Sequence, residues 1–186
     1  MSDIAIQEQS AGSIDKSIPI SADIGQVAND LCERALADAK SQLHPLLRNV
    51  ELAQLEKRRE FLQAFKSALE QRTARTVADW QSSVQAVFQF DETRLASAES
   101  WDGSIHLLVK VSCFSNALKT LGRKLDRAMV RYLKQLGWQR FGEHGAILEL
   151  QQVTLSELRH AIGYGAMFCA VYTTPIQIWP RERRAK

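Results

Sequence analysis

The chain has 186 residues, of which 45% are hydrophobic and 24% are charged, with a formal net charge of +3. These values are typical of a globular protein with its own hydrophobic core, and they exclude a low-complexity or collagen-like chain. No apolar run approaches the roughly 20 residues that span a bilayer, and the N-terminal residues lack a signal-peptide pattern. The three cysteines are widely spaced and do not suggest a disulfide framework, so we expect a cytoplasmic protein with no membrane partner.

The charge is divided unevenly along the sequence. Residues 1–112 contain 12 Lys or Arg and 16 Asp or Glu, whereas residues 113–186 contain 12 Lys or Arg and only 5 Asp or Glu. The first part is therefore acidic and the second part is basic. This asymmetry predicts an anionic partner for the second part, although the two parts could equally pack against each other or against a second copy.

The N-terminal elements are predicted to be helical. Residues 1–22 are polar and are expected to form a flexible tail, after which Asp23 is suited to cap a helix. Apolar residues then recur at three- and four-residue steps over 23–80, which predicts a helical segment. Pro45 divides this segment into a helical pair, because proline lacks an N–H group and disfavours helical geometry in the preceding residue. We expect this pair to offer a surface for partner docking or for a homo-oligomer.

The periodicity changes after Trp80 and predicts strands, with helices between the later ones. The first strand is expected to place Val84, Ala86, Phe88 and Phe90 on one face, and to pair as a hairpin with the second. A basic helical region and a helix opening at Thr154 separate the later strands. The predicted strands cover 84–90, 105–111, 146–153 and 175–179, and the basic helical region covers 114–137.

These elements predict an α+β fold. The N-terminal helical pair is followed by a small, mostly antiparallel sheet in the order β-β-α-β-α-β, covered by helices. The expected organisation is a helical segment at 23–80, an α+β domain at 81–180 and a basic tail at 181–186.

The basic helical region contains the strongest functional signal. Its leucines form an apolar stripe, and its basic residues recur three or four residues apart on the opposite side. A second geometry is open, with Gly122 as the turn of a helix-turn-helix and residues 139–150 as a small β-ribbon, which is the element order of a winged helix. The candidate binding residues are Arg123, Lys124, Arg127, Arg131, Lys134 and Arg140.

Two functions fit these residues. The leading hypothesis is a non-enzymatic accessory protein whose basic half binds nucleic acid through phosphate contacts. The alternative is a protein–protein adaptor or assembly factor that presents the same basic face to an acidic protein surface. A plain solvated face is the third interpretation.

Catalytic and metal chemistry find little support in the sequence. The four histidines lack metal-ligand spacing, and no motif predicts a cofactor, a metal or a catalytic site. Cys113 and His106 are the one pair that would suit a nucleophile and its base, although Cys113 is more simply a small core residue. Glu143 and His144 adjoin in a glycine-flanked turn that needs no function. The two glycines of 163–165 are predicted to permit close packing.

Overall fold

A computed structural model describes residues 23–90, 104–139, 145–170 and 174–180. The predicted tails at 1–22 and 181–186 lie outside these ranges. The helices are α1 (Ile24–Ser41), α2 (Leu52–Leu55), α3 (Arg59–Trp80), α4 (Asn116–Gln135) and α5 (Leu155–His160), with short 3-10 segments at Pro45–Leu47 and Gly163–Cys169. The strands are β1 (Val84–Gln89), β2 (Ile105–Val111), β3 (Leu148–Thr154) and β4 (Ile176–Trp179).

The described strands form one sheet in the order β3-β2-β1-β4. Strand β1 runs antiparallel to both β2 and β4, which confirms the predicted pairing of the first two strands. Strand β3 is parallel to β2 because α4 returns the chain to the starting end of the sheet between them. The α+β class is confirmed, with a sheet that contains both kinds of pairing.

One hydrophobic core joins the N-terminal helices to the sheet. Helix α3 packs against β1, β2 and β4, α4 packs against β3, and α1 packs against both helices. Phe65 of α3 meets Trp138, just beyond α4, with ring centroids 5.1 Å apart. Residues 23–80 therefore share their core with the sheet. Among the described helices, none is both long enough and apolar enough to cross a membrane.

The helix boundaries follow from local chemistry that the sequence indicates. The Asp23 carboxylate accepts a hydrogen bond from the Gly25 N–H at 2.9 Å and caps α1, as predicted. Helix α1 ends at Ser41, ahead of Pro45. At α5, Thr154 and Glu157 form a reciprocal capping box.

Strand β1 does not keep the predicted alternation. Its register shifts between Val84 and Ala86, so Val84 and Val87 both enter the helix-covered core. Phe88 lies on the other face and packs edge-on against Phe168, with centroids 4.8 Å apart. The expectation of a single face was wrong because a bulge inserts one residue and reverses the alternation beyond it.

The two glycines of 163–165 permit close packing, as predicted. A Cβ atom at Gly165 would overlap the backbone carbonyl of Glu157, and Gly163 has φ +51°. Together they fold the 3-10 segment back against α5 and β3. This segment covers part of the sheet face opposite the long helices.

Candidate anion-binding surface

Helix α4 is continuous from Asn116 to Gln135, which decides between the two geometries that the sequence leaves open. Gly122 is buried in the middle of the helix, where an added Cβ would lie 3.1 Å from the Leu150 Cβ. This glycine therefore lets α4 approach β3 closely and forms no turn. Strand β3 also pairs in parallel with β2. The winged-helix alternative is wrong for both reasons.

The exposed side of α4 carries a row of cations that we call the cationic surface. Its length from residue 119 to residue 134 is about 22 Å at 1.5 Å per residue. The leucines and Met129 lie on the opposite, buried side, as the apolar stripe predicts. The cationic surface consists of Lys119, Arg123, Lys124, Arg127, Arg131 and Lys134, all exposed.

The structure brings together five of the six predicted binding residues. Arg140 lies outside the described residues. Lys119 was missed, although it precedes Arg123 by four residues and so continues the same row. Extending the four-residue spacing by one step toward the N-terminus would have identified it.

Five of the six cations of this surface form no salt bridge with a described residue. Within the described ranges, no salt bridge engages Arg123, Arg127 or Arg131, and the same holds for Lys119 and Lys124. The acidic residue of α4 itself, Asp126, is turned toward β3. Its Oδ1 accepts hydrogen bonds from the N–H groups of Ile147 at 2.8 Å and Leu148 at 3.0 Å. Its carboxylate is thus engaged by backbone donors on the β3 side of the helix.

Tyr132 borders the cationic surface on the side of α1. Its hydroxyl donates to Glu33 Oε1 at 2.9 Å. Burial raises the pKa of Tyr132 to about 12, and the hydrogen bond and negative charge of Glu33 add to this shift. Glu33 is therefore occupied by Tyr132, at the margin of the surface.

A groove of about 510 Å³ borders the opposite margin, between the N-terminal half of α4 and β3. Lys119 and Arg123 line it from α4, and the aromatic rings of Phe114 and Tyr164 contribute apolar surface. A second cleft, of about 410 Å³, lies between α1, α3 and β4. Cations and acids are mixed in both, since Asp126, Glu149 and Glu157 also line the groove. In the cleft, Arg72 Nε donates to Asp38 Oδ2 at 2.8 Å.

The one candidate catalytic pair is not supported by a contact. His106 lies near the start of β2, where its Nδ1 is 3.4 Å from Glu149 Oε2. Cys113 follows the end of the strand and is exposed rather than part of the core. About 17 Å of strand separates residues 106 and 111. Glu143 and His144 lie outside the described residues, and in the described part of the chain no three potential metal ligands cluster.

The chain matches no known family model, no curated protein and no solved structure.

Proposed function

We propose that the cationic surface of α4 binds nucleic acid, mainly through the phosphate backbone. The observation that carries the proposal is a row of exposed cations on one helix, five of which form no salt bridge with a described residue: Lys119, Arg123, Lys124, Arg127 and Arg131. Each phosphate that such a cation neutralises releases counterions, which provides affinity without sequence recognition.

The composition of this surface favours nucleic acid over an acidic protein. Interfaces between proteins contain a buried apolar centre in which charged residues are depleted. The exposed residues of α4 between 119 and 135 include no large apolar side chain; they are cations, Thr120 and Gln135. Protein–nucleic acid interfaces are more polar and more positively charged, which matches this surface.

Length and shape add a second argument. The row spans about 22 Å, and a duplex strand carries a phosphate every 3.4 Å along its axis, so the row can follow about six phosphates. Because α4 is one continuous helix rather than a helix-turn-helix, binding is expected to be weakly sequence-selective and steeply dependent on salt.

We place this binding in a non-enzymatic accessory protein of the cytoplasm. Self-association through the N-terminal helices is not part of the proposal. The apolar residues of α1, including Leu31 and Leu36, are buried within the chain itself. They do not form an exposed apolar face for a second copy.

Fluorescence anisotropy with labelled duplex DNA, single-stranded DNA and RNA tests the proposal at two salt concentrations. The double variant R127E/R131E is expected to weaken binding by at least about tenfold, since two phosphate contacts become repulsive. The matched control is R34E/R75E, which makes the same charge change at exposed residues in the α1–α3 cleft. It is expected to bind nearly as the unmodified protein does.

Three outcomes would contradict the proposal. The first is no salt-sensitive binding at micromolar protein, and the second is an equal loss of affinity in both double variants. The third is equal affinity for poly-glutamate and for nucleic acid, with both weakened equally by R127E/R131E, which would favour the acidic-protein alternative. Circular dichroism should show that R127E/R131E folds, because both positions are exposed.

A further inference from the structure

Strand β3 forms an edge of the described sheet, and its pairing fixes which backbone groups point outward. The Ile105 N–H donates to the Ile147 carbonyl at 2.7 Å, and Ile105 pairs in register with Leu148. In a parallel pair, this pattern directs the backbone groups of odd-numbered β3 residues toward β2. The N–H and C=O groups of Leu148, Leu150, Gln152 and Thr154 therefore point away from the sheet.

At both ends of this edge, the outward backbone N–H group already donates a hydrogen bond to a side chain. The Leu148 N–H donates to Asp126 Oδ1 at 3.0 Å, and the Thr154 N–H donates to Glu157 Oε2 at 2.8 Å. Between them, the N–H groups of Leu150 and Gln152 make no hydrogen bond across the edge to any described residue. The capped ends thus leave a short window of outward donors and acceptors at the centre of the strand.

The groove beside this window has the properties of a peptide-binding groove. Phe114 is 62% exposed and Tyr164 is 39% exposed, and both line the groove with the backbone of β3. Exposed aromatic rings beside an open strand edge are suited to an extended peptide, which adds hydrogen bonds to the edge and places alternate side chains in the groove.

We propose that the groove binds an extended acidic segment of a partner protein, which adds to the sheet as a strand beside β3. Lys119 and Arg123 line the α4 wall of the groove and take part in no described salt bridge. Three carboxylates also line the groove, but each already has a partner within the chain. Asp126 accepts from the Ile147 and Leu148 N–H groups, Glu157 forms the capping box with Thr154, and Glu149 lies 3.4 Å from His106.

The added strand would direct alternate residues toward Lys119 and Arg123, which selects Asp or Glu there. Its other residues face the side of the 3-10 segment, where the Tyr164 ring provides apolar surface beside the polar side chains of Glu149 and Gln151.

The same cations disfavour a second copy of the chain as the occupant. Two β3 strands paired antiparallel about a twofold axis would place both α4 helices on one face of a continuous sheet. Lys119 and Arg123 of one copy would then oppose the same residues of the other. This like-charge contact selects an acidic strand over self-pairing.

This inference does not depend on the nucleic-acid proposal, and the two can fail separately. Arg127 and Arg131 belong to the cationic surface but do not line the groove. The variant K119E/R123E alters the groove, whereas R127E/R131E leaves it unchanged. R127E/R131E is therefore expected to weaken the binding of nucleic acid but not of the peptide, whereas K119E/R123E is expected to weaken the binding of the peptide.

The test uses the full chain and a fluorescein-labelled peptide of alternating Glu and Val, with a Lys and Val peptide as its counterpart. We expect the acidic peptide to bind, K119E/R123E to weaken it at least about tenfold, and R127E/R131E to change it less than about threefold. Amide hydrogen exchange should locate the site. The Leu150 and Gln152 amides exchange faster than those of Gln151 and Val153 in the free chain, and the peptide protects them.

Any of four results would overturn the proposal. These are no binding of the acidic peptide, equal binding of the basic peptide, binding without protection of the Leu150 and Gln152 amides, and equal weakening by both double variants. Protection of these amides in a concentration-dependent dimer, without peptide, would also overturn it and would identify a second copy as the occupant. Circular dichroism of both variants confirms that each is folded.

Discussion

Helices α1 and α4 contribute to the same core, yet they arrange their exposed charges in opposite ways. In α1, Arg34 lies four residues from Asp30 and four from Asp38. In α4, Arg127 lies four residues from Arg123 and four from Arg131. The first cation has an acidic residue on each side along the helix, and the second has like charges on both sides.

The arrangement of the charges, more than their number, distinguishes the surfaces of the two helices. Opposite charges four residues apart stabilise a helix by about 0.2–0.5 kcal/mol per pair, and like charges destabilise it by a similar amount. Helix α1 therefore gains stability from its own surface charges, whereas α4 loses some. A polyanion that covers α4 would relieve this repulsion, as the proposed function requires.

The largest expected difference concerns thiol reactivity at the two helices. Cys32 is on the buried face of α1, where burial first and Glu33 second raise its pKa to about 12. Cys113 is exposed just before α4. We expect Cys32 to react with a disulfide reagent at least about 1000-fold more slowly than Cys113, because it must first be exposed by local unfolding. Because Cys169 is also exposed, a time course with Ellman's reagent on C169S, compared with C113S/C169S, measures both rates. Equal rates would contradict the packing of α1.

The raised pKa of Cys32 also predicts a pH dependence. The unfolded thiol ionises near pH 9, whereas the folded one remains protonated until about pH 12. The stability from the neutral buried thiol is complete below pH 9 and is lost as the pH rises toward 12. Urea unfolding across this range should show a smaller alkaline loss in C32A than in the unmodified chain, and the same loss in both would contradict the assignment.

An intermediate effect on stability is expected when one acidic residue of each helix is removed, Asp126 of α4 or Asp38 of α1. In D126A, the N–H groups of Ile147 and Leu148 lose their acceptor, so the free energy of unfolding should fall by about 1–3 kcal/mol. In D38A, a partly exposed ion pair with Arg72 is lost, which should cost at most about 1 kcal/mol. Urea unfolding measures both, and D126N, which keeps one acceptor oxygen, serves as the control. An equal loss in D126A and D38A would contradict the structural role of Asp126.

The smallest expected effect comes from reversing one exposed charge on each helix, which compares the charge patterns of α1 and α4 directly. R127E converts two like-charge neighbours into attractive pairs, so the free energy of unfolding should rise by roughly 0.8–2 kcal/mol at low salt. R34E makes the same change on α1, where the neighbours are acidic, and should lower it by a similar amount. Thermal unfolding at low and high salt checks the signs, and both differences should shrink as salt increases. If R127E and R34E changed the free energy of unfolding in the same direction, the charges four residues away would not determine the effect of these two residues.

Much of the fold was predictable because its signals are local. The caps at Asp23 and Thr154, the break before Pro45 and the apolar stripe of α4 depend on residues a few positions apart. The β1 bulge and the role of Gly122 were not, because both are fixed by distant partners: strand β2 for the bulge and Leu150 for the glycine. A glycine within a helical pattern is compatible both with a turn and with the close approach of a neighbouring element.

Part of the candidate site could also be predicted from local signals, and part of it could not. The spacing of cations on α4 identifies the row from the sequence, including Lys119 if the row is extended by one turn. The groove could not be predicted, because it depends on the parallel pairing of β3 and on side chains from α4 and the 3-10 segment. The outward position of the Leu150 and Gln152 backbone follows only from that register.

The most direct test of the central claim is the salt dependence of nucleic-acid binding. The slope of log Kd against log salt concentration should differ between the unmodified chain and R127A/R131A by about 2 for duplex DNA, since each lost phosphate contact changes it by about 0.9. R34A/R75A should leave the slope unchanged. A slope that is the same in the unmodified chain and R127A/R131A would contradict the assignment of α4 as the phosphate-binding surface.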